Sequence, residues 1–519
     1  MKIIPSADVG ALIPDGATVF LGGLAVSSLP EALLQGIEQH FKSSGHPRQI
    51  TTWAVGAIGN SRDAGMVHLA HAGLIKRTIA GHFGQTGQEM MRMVHAGEVE
   101  AYNFPQGSLS HLTRQIACRA PGLLTQVGLG TFVDPRQEGG KMNAASTEDL
   151  VKLVEFDGRE WLYYPSPKVD VALIRGTVAD ERGNVTLDKE GVLLEQLAIA
   201  QAARACGGIV VVQVERIVEA GSLHPKAVKI PGTVVDYVVV APPEAHMQTI
   251  ATQFDPALCG DVRVPLSRLE RMPLDERKVI ARRAALALRP GDVTNLGIGI
   301  PAGIPSVAAE EGVADLLTLS IESGITGGIP AQLGDFGLAY NAEAIIEQSS
   351  QFDFYDGGGL DASFLGLAQV DAQGNVNVSK FSGRPVGCGG FVNITRSTKK
   401  LVFCGAFTAG GLDVKIDDGR LVIEKEGRAR KFVKQVEQVT FNGHDAALRE
   451  QEVLFVTERA VFRLTPSGLA LIEIAPGVDV QRDVLAHMDF EPAIAADLAE
   501  MDAGIFRAQW GGLRDALAA

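Results

Sequence analysis

The chain is poor in cysteine and in aromatic residues and lacks long apolar runs, and each shortage excludes a class of protein. Its five cysteines are odd in number, widely spaced and free of any C-x-x-C pair, so neither a disulfide framework nor a zinc site is predicted. Apolar stretches such as residues 208–212 and 237–241 are strand-sized, well below the roughly 18 residues that indicate a membrane span. We therefore expect a cytoplasmic protein with reduced thiols and no membrane partner.

Positive charge is also in short supply. Lys and Arg number 47 against 61 Asp and Glu, a formal net charge of −14 without any dense basic run. Such a surface does not attract nucleic acid or an anionic membrane over long range. A polyanionic ligand would have to be held by local loops.

Glycine, in contrast, is abundant, with 59 residues on a scaffold that is 46% hydrophobic. At 519 residues the chain is too long for one core, and two or more large domains are the starting expectation. Glycine-rich loops following apolar strands, which alternate with Ala-rich helical stretches, predict an α/β fold with open, mainly parallel sheets.

The sequence contains a weak internal duplication. A short strand, glycines and a proline-started helix occur twice, with Leu21 corresponding to Leu296 and Pro30 to Pro305. A D-x-x-G-N-V pattern also occurs twice, beginning at Asp180 and at Asp371, and predicts a hairpin turn in each copy. Two related domains facing each other would place a site between them.

A proline-rich stretch separates the two copies and leads to Asp275, a good N-cap for a predicted helix over residues 276–288. We therefore predict domains at residues 1–265 and 274–519. The offsets between the two repeats differ by 84 residues, which predicts extra residues in the first half between about 110 and 165. Their role in a pocket or an oligomer contact stays open.

A predicted strand over residues 316–321 delivers Glu322 into a glycine-rich turn, where an α/β fold often presents a reacting group. A carboxylate that stays ionised and is partly desolvated can act as a covalent nucleophile, and glycines allow a bulky substrate to approach. The alternative from this local pattern alone is a solvated loop glutamate.

Several motifs together resemble those of the family I CoA-transferases. Glu322-Ser-Gly-Ile-Thr-Gly is similar to the E-x-G-x-x-G motif whose glutamate forms the enzyme-CoA thioester, and Gly387-Cys-Gly-Gly-Phe is similar to the oxyanion-hole motif G-x-G-G-F. Asn295-Leu-Gly-Ile-Gly-Ile-Pro resembles the segment that lines the CoA site. Phe104-Pro-Gln-Gly-Ser resembles the segment whose glutamine helps to bind the thioester oxygen. The resemblance covers both halves.

The resemblance implies a transferase of CoA between a short-chain acyl-CoA and a free carboxylate such as acetate, working through a glutamyl-CoA thioester. Glu322-Ser-Gly departs from the S-E-N-G form of succinyl-dependent enzymes. In this respect the sequence resembles the acetate and propionate CoA-transferases more closely. It implies a homo-oligomer (dimer or tetramer), no metal, and no cofactor other than CoA as a substrate. The implied catalytic residues are Glu322, Gln106 and Gly389, and the implied CoA-binding residues are Gly297, Ile298, Gly299, Ile300, Pro301, Asn375, Gly387 and Gly390.

Two other functions stay open at this stage. An acyl-CoA hydrolase on the same scaffold would use water where the transferase uses a carboxylate, and a non-catalytic ligand-binding or assembly protein would not need Glu322. Gln106 could simply cap a turn after Pro105, and the glycines from Gly387 to Gly390 could form only a tight loop.

Other candidate sites are weaker. Residues 297–303 are not a dinucleotide fingerprint, because the third glycine is one position late and a proline intervenes. His68 and His71 lie on a predicted helix over residues 66–80 without an acidic or cysteine partner at ligand spacing, so a metal role is not favoured. Cys388 has no neighbour that would lower its pKa, and we interpret it as a buried filler. Lys415 is interpreted either as a CoA phosphate contact or as a solvated loop lysine.

Overall fold

The computed structural model describes residues 1–265 and 271–518, which form two α/β halves, each built on one large sheet. The two predicted domains, residues 1–265 and 274–519, are separated by a short linker. Residues 266–270 of that linker lie outside the described residues. These limits stay a prediction.

The first half carries a sheet of eight strands that are all parallel, in the order β1-β15-β12-β9-β2-β3-β4-β5. Its strands are β1 Lys2–Ile3, β2 Thr18–Leu21, β3 Ile50–Ala54, β4 Ile75–Ala80, β5 Glu100–Asn103, β6 Gly122–Thr125, β7 Lys152–Phe156, β8 Arg159–Pro165, β9 Val171–Arg175, β10 Val178–Asp180, β11 Val185–Thr186, β12 Ile209–Val214, β13 Arg216–Val218, β14 Val228–Ile230 and β15 Tyr237–Val240. Its helices are α1 Glu31–Ser44, α2 Gln88–His95, α3 Gln106–Ala117 and α4 Gln196–Ala205.

The second half carries a ten-stranded sheet in the order β21-β18-β17-β16-β22-β27-β32-β33-β34-β35, whose five central strands from β17 to β32 are parallel. Its strands are β16 Val293–Leu296, β17 Thr318–Ile321, β18 Ile325–Thr326, β19 Ile329–Pro330, β20 Ala339–Tyr340, β21 Ala344–Ile345, β22 Ala362–Gly366, β23 Gln369–Val370, β24 Val376–Asn377, β25 Lys380–Phe381, β26 Arg384–Pro385, β27 Lys400–Cys404, β28 Thr408–Ala409, β29 Asp413–Asp417, β30 Arg420–Lys425, β31 Ala429–Arg430, β32 Glu452–Val456, β33 Ala460–Thr465, β34 Gly468–Ile474 and β35 Ala493–Glu500. Its helices are α5 Glu276–Ala285, α6 Ile304–Glu310, α7 Gln348–Asp356, α8 Phe391–Ser397, α9 Gly443–Leu448 and α10 Gly512–Ala518.

The strand orders of the two sheets agree with the predicted duplication. The run β15-β12-β9-β2-β3 of the first sheet has the same order and direction as β32-β27-β22-β16-β17 of the second. The fold is therefore the predicted pair of open α/β domains with mainly parallel central strands. Most buried residues of β9 and β12, such as Leu173 and Val211, are apolar because helices cover both faces of a parallel sheet.

Both D-x-x-G-N-V patterns form the predicted hairpin turns, between β10 and β11 and between β23 and β24. In each turn an aspartate carboxylate accepts backbone N–H groups two and four residues later, and the asparagine Nδ2 donates to the same carboxylate. Gly183 and Gly374 adopt the positive φ of 85° and 75° that the turn requires.

The extra residues of the first half form a three-stranded sheet, in the order β6-β8-β7, between α3 and β9. The segment within this insertion reaches the second half: the Phe132 N–H donates to the Val439 carbonyl at 2.7 Å, and the Gln438 side chain donates to Glu138 at 3.0 Å. The insertion therefore contributes to the contact between the halves.

One predicted helix is wrong and another is confirmed with a shorter extent. Residues 66–80 form a 3-10 turn at Met66–Leu69 followed by β4, because pairing with β3 and β5 outweighs the local helical spacing. The α5 helix begins after Asp275, whose carboxylate accepts the Lys278 N–H at 3.0 Å as an N-cap. No helix in residues 1–265 and 271–518 is long and apolar enough to cross a membrane.

Candidate active site

Glu322 follows β17 directly, at the carboxyl end of a parallel strand that lies next to the central strand β16. Ile321 packs in a small apolar cluster that joins the halves and includes Val192 and Leu194 of the first half. Ser323 is fully buried and donates its hydroxyl to the Gly337 carbonyl at 2.6 Å. The backbone on either side of Glu322 is therefore fixed, while its own side chain is half-buried.

Gln106 is the first residue of α3 and enters the site from the other half. Its backbone N–H donates to the Gly389 carbonyl at 2.9 Å, which joins the two halves at this point. The side chain is buried, with 3% of its surface exposed, and its Nε2 has no hydrogen-bond partner among the described residues. A buried donor without an acceptor is costly to leave unpaired, so this amide is available to a ligand.

The glycine loop from Gly387 to Gly390 lies against the strand ends of the first half. The Phe83 N–H donates to the Val386 carbonyl at 2.7 Å, and the Cys388 N–H donates to the Asn103 side chain at 2.9 Å. A Cβ on Gly387, which has φ +94°, would lie 2.7 Å from the His82 Cα. Only glycine allows this close approach.

The amides of this loop are not equivalent as oxyanion donors. The Gly389 N–H, which we predicted to be catalytic, donates to the Gly81 carbonyl at 2.7 Å and so has an acceptor already. The Gly390 N–H has no acceptor in the part of the chain that the structure describes. A Cβ on Gly390 would lie 3.4 Å from the Glu322 Cγ, which places this residue beside the carboxylate.

These residues line one cavity of about 240 Å³ between the halves. The cavity brings together most of the predicted site residues, namely Gln106, Gly297, Ile298, Glu322, Gly387, Gly389 and Gly390. Its remaining wall is largely apolar and is formed by Phe391 of the glycine motif and by side chains that the sequence did not single out, including Leu24, Ala25, Ala57, Phe336, Leu365, Val378 and Ile394. No sequence signal identified the latter residues, because they come from segments distant in the chain, which include strand β22 and helix α8 as well as loops.

A group of buried, hydrogen-bonded polar side chains lies close to Glu322. Burial raises the pKa of Glu322, and its own backbone N–H and the Asn295 side chain oppose that shift. Asn295 is fully buried on β16, and its Nδ2 lies 3.3 Å from both the Ser320 carbonyl and the Tyr355 hydroxyl. The Tyr355 hydroxyl lies 2.9 Å from the Ser320 hydroxyl, which completes the group.

The predicted CoA-binding segment after β16 reaches the cavity with only its first residues. Gly297 and Ile298 line the cavity, and Ile298 is largely exposed at its mouth. Gly299 is exposed, Ile300 packs partly buried against the core of the second half, and Pro301 is buried at the start of a 3-10 turn that leads into α6.

Asn375, also predicted to bind CoA, lies outside this cavity. Its side chain donates to Asp371 and accepts the Gly443 N–H at 3.0 Å. The corresponding Asn184 of the first half donates to Asp180 and accepts the Gly232 N–H at 2.9 Å. The same network therefore occurs in the half without the glutamate, and it holds a turn in place.

The titratable groups at the cavity do not compete with Glu322. Burial lowers the pKa of His82 to about 4, and its Nδ1 accepts the Gly84 N–H at 2.9 Å, so the ring is neutral. Burial raises the pKa of the Cys388 thiol far above its ordinary range, which agrees with its interpretation as a buried filler. Lys415 lies on β29, away from the cavity lining, and its Nζ contacts Asp417 at 2.8 Å.

His68 and His71 have acidic partners that the sequence did not reveal. The His68 ring lies between Glu31 at 2.7 Å and Glu38 at 2.6 Å, and His71 contacts Glu38 at 2.9 Å. Both carboxylates come from α1, 30 to 37 residues earlier in the chain. Within residues 1–265 and 271–518, no group of three or more His, Cys, Asp or Glu side chains is arranged to hold a metal ion.

The chain is similar to known proteins over nearly its full length. The profile of the family described as "Coenzyme A transferase" matches residues 5–241. The chain is 51% identical to caffeate CoA-transferase of Acetobacterium woodii, over 99% of this chain and 98% of that protein. It is 44% identical to acetate CoA-transferase YdiF of Escherichia coli K12, over 98% and 95% of the two chains.

Solved structures show the same architecture along the whole chain. The apoenzyme of the acyl-CoA transferase YdiF from E. coli O157:H7 superimposes with a TM-score of 0.92 at 42% identity, covering 98% of this chain and 97% of that one. The thioester complex of the same enzyme with CoA superimposes with a TM-score of 0.90. With two facing halves and a shared cavity at Glu322 and Gln106, the chain belongs to the coenzyme A transferase family and is an enzyme that transfers CoA groups.

Proposed function

We propose that this enzyme exchanges CoA between a short-chain acyl-CoA and a free carboxylate such as acetate, by a ping-pong reaction through a glutamyl-CoA thioester on Glu322. One observation carries the proposal: a half-buried glutamate of one half and an unpaired buried amide of the other line the same cavity. The thioester complex named for the YdiF structure supports a covalent route in a relative.

The reaction balances without a further reactant. A Glu322 carboxylate oxygen attacks the acyl-CoA carbonyl, the C–S bond breaks, and CoA thiolate leaves a mixed acyl-glutamyl anhydride. The thiolate then attacks the Glu322 carbonyl carbon, which forms the enzyme thioester and releases the first carboxylate. A second carboxylate reverses both steps, so that the new acyl-CoA leaves and Glu322 is regenerated.

Negative charge develops on a carbonyl oxygen in each tetrahedral intermediate. We propose that the Gln106 Nε2 and the Gly390 N–H donate hydrogen bonds to this oxygen. Both have no acceptor among the described residues, so neither has to break a hydrogen bond to bind an oxyanion. Donors fixed in advance of the reaction supply the largest single contribution to catalysis in sites of this kind.

The wall and the volume of the cavity also indicate which acyl groups it can hold. Its largely apolar wall suits an uncharged acyl chain, and its volume of about 240 Å³ has to hold that chain together with the thioester end of CoA. Acetate and caffeate are the acids named for two relatives. We propose short-chain carboxylates as acceptors and CoA as a substrate, with no resident cofactor.

Covalent trapping tests the proposal. The enzyme incubated with acetyl-CoA is digested, and the Glu322 peptide is expected to gain the mass of CoA, or to become the alcohol after borohydride reduction. Glu322→Gln is expected to give no adduct, while Glu343→Gln, an exposed glutamate near the same glycine turn, is expected to retain it. An adduct on another residue, or full exchange by Glu322→Gln, would refute the proposal.

A second measurement separates transfer from hydrolysis. Loss of acyl-CoA is followed with and without added acetate, butyrate or a cinnamate-type acid, and transfer requires that consumption depends on the added acid. Consumption at an equal rate without any acid would identify a hydrolase instead.

Location and assembly belong to the same proposal. We infer that the enzyme is a cytoplasmic homo-oligomer. All five cysteines are unpaired in the structure, which supports a location in a reducing compartment such as the cytoplasm. Light scattering of the purified protein measures the assembly.

A further inference from the structure

Helix α3, which begins with Gln106, approaches the second half unusually closely at its second residue. A Cβ on Gly107 would lie 2.5 Å from the Asn393 Nδ2 and 2.5 Å from the Phe352 Cδ1. These distances are shorter than any ordinary contact of a Cβ, so the backbone of α3 lies directly on α7 and α8. The glycine after Gln106 is therefore required by packing between the halves.

One side chain holds α3 at this point of contact. Asn393 is fully buried in the first turn of α8, and its Oδ1 accepts the Gly107 N–H at 3.0 Å. This N–H belongs to the first turn of α3, where backbone donors have no partner within the helix. Asn393 thus fixes the residue next to Gln106 from across the interface.

A carboxylate determines which way the Asn393 amide faces. The Asn393 Nδ2 donates to both Asp356 oxygens, at 3.1 and 3.0 Å, so its Oδ1 must point to Gly107. Asp356 ends α7, and the His111 ring of α3 approaches the same carboxylate at 3.6 Å. His111 also contacts Asp353 at 3.0 Å, which in turn pairs with Arg114 at 2.7 Å.

The position of α8 in the chain makes this contact relevant to catalysis. The helix starts at Phe391, immediately after the glycine loop whose Gly389 carbonyl accepts the Gln106 N–H. The loop and Asn393 are therefore parts of one rigid element that holds the first two residues of α3. We propose that Asn393, oriented by Asp356, is a positioning residue that places the Gln106 amide against the reacting carbonyl above Glu322.

This inference rests on the proposed role of Gln106 as an oxyanion donor, and it predicts an exchange of partners. In Asn393→Asp the new carboxylate faces Asp356 and can no longer donate to it, and kcat is expected to fall about 10–100-fold, the loss typical of a catalytic group displaced by about 1 Å. In the double variant Asn393→Asp/Asp356→Asn the donor and acceptor are exchanged, and kcat is expected to recover at least about tenfold. KM should change less than about threefold, because the apolar wall is untouched.

The assays are run at pH 8 and at pH 9, because burial raises the pKa of Asp356 and the facing carboxylate of Asn393→Asp raises it further. Arg114→Gln is the matched control, since it removes a contact between α3 and α7 that is solvent-exposed and does not touch Asn393. It is expected to keep kcat within about twofold, because exposed pairs contribute little. The same Asn393→Asp change is also made in a Gln106→Ala enzyme.

The outcomes distinguish the positioning role of Asn393 from the oxyanion role of Gln106. If Asn393 acts through Gln106, Asn393→Asp adds no further loss to Gln106→Ala, and the exchanged pair recovers kcat. Additive losses, or an exchanged pair as slow as Asn393→Asp, overturn the positioning role while leaving Gln106 in place. A Gln106→Ala enzyme with unchanged kcat would instead refute the oxyanion role itself. Melting temperatures of all variants identify any loss that is due to unfolding, and a kcat loss matched by unfolding in Asn393→Asp also overturns the inference.

Discussion

The effect of Gln106→Ala on stability distinguishes a catalytic role of Gln106 from a structural one. If the role is catalytic, the free energy of unfolding stays the same or rises, and if it is structural, the free energy of unfolding falls. The variant keeps the backbone N–H that donates to the Gly389 carbonyl, so the junction between the halves is unchanged. It removes a buried amide whose Nε2 has no partner among residues 1–265 and 271–518. Only the part of the side chain that faces the cavity is lost.

The magnitude follows from what the side chain contacts. Loss of one oxyanion donor typically costs about 2.7–4 kcal/mol in the barrier, which is a 10²–10³-fold loss of kcat. For the free energy of unfolding, the lost methylene costs about 0.8 kcal/mol. Relief of an unpaired buried donor returns about 1–3 kcal/mol. The Gln106→Ala protein is therefore expected to be as stable as the parent or more stable.

The assay measures initial rates of CoA exchange between acetyl-CoA and propionate, together with the urea midpoint. Single-turnover formation of the Glu322 thioester gives the same comparison for the first half-reaction. A Gln106→Ala enzyme with kcat within threefold of the parent would refute the argument, and so would a marked loss of stability. The latter would show that Gln106 acts as a turn cap after Pro105.

Four further predictions concern Glu322, helix α3 and the cysteines. Because burial raises the pKa of Glu322 above its ordinary value of 4.5, its ionised form is lost at a higher pH than for an exposed glutamate, so kcat/KM should fall on the acid side with an apparent pKa above 4.5. For the same reason Glu322→Gln should be more stable than the parent above that pKa in urea titrations, with the difference vanishing in acid. Gly107→Ala should cost about 1–3 kcal/mol of stability, because its Cβ would overlap the Asn393 side chain. Iodoacetamide at pH 8 should modify the exposed Cys118 well before the buried Cys388, as measured by peptide mass spectrometry.

Each of these has a contradicting result, and for Glu322→Gln it is a variant that is no more stable than the parent at neutral pH. A kcat/KM that is constant down to pH 4 would show that Glu322 is not the ionised nucleophile. A Gly107→Ala protein as stable as Gln115→Ala, a change elsewhere on α3, would show that the close approach relaxes freely. Equal alkylation rates for the two cysteines would contradict the burial of the glycine loop.

The sequence alone was sufficient for the fold class, and its resemblance to a family motif predicted Glu322 as the nucleophile. Repeated local patterns carry that information, since an apolar strand followed by glycines and a D-x-x-G-N-V turn each depend on neighbouring residues. Glu322 and Gln106 were predicted because each lies in a short motif that resembles one of the family, although the residues around each of them also allowed a purely structural role. The helix predicted over residues 66–80 was wrong because pairing between β3, β4 and β5 involves strands distant in the chain.

Only the tertiary structure decided which groups meet. The sequence could not show that the Gly389 N–H is already bound by Gly81 or that Asn375 holds a turn, because both facts depend on contacts between distant segments. It also gave no indication of Asn393 and Asp356, which act through the meeting of α3 with α7 and α8. The physical reason is that Glu322 and Gln106 belong to different halves, so the site exists only where the halves pack together.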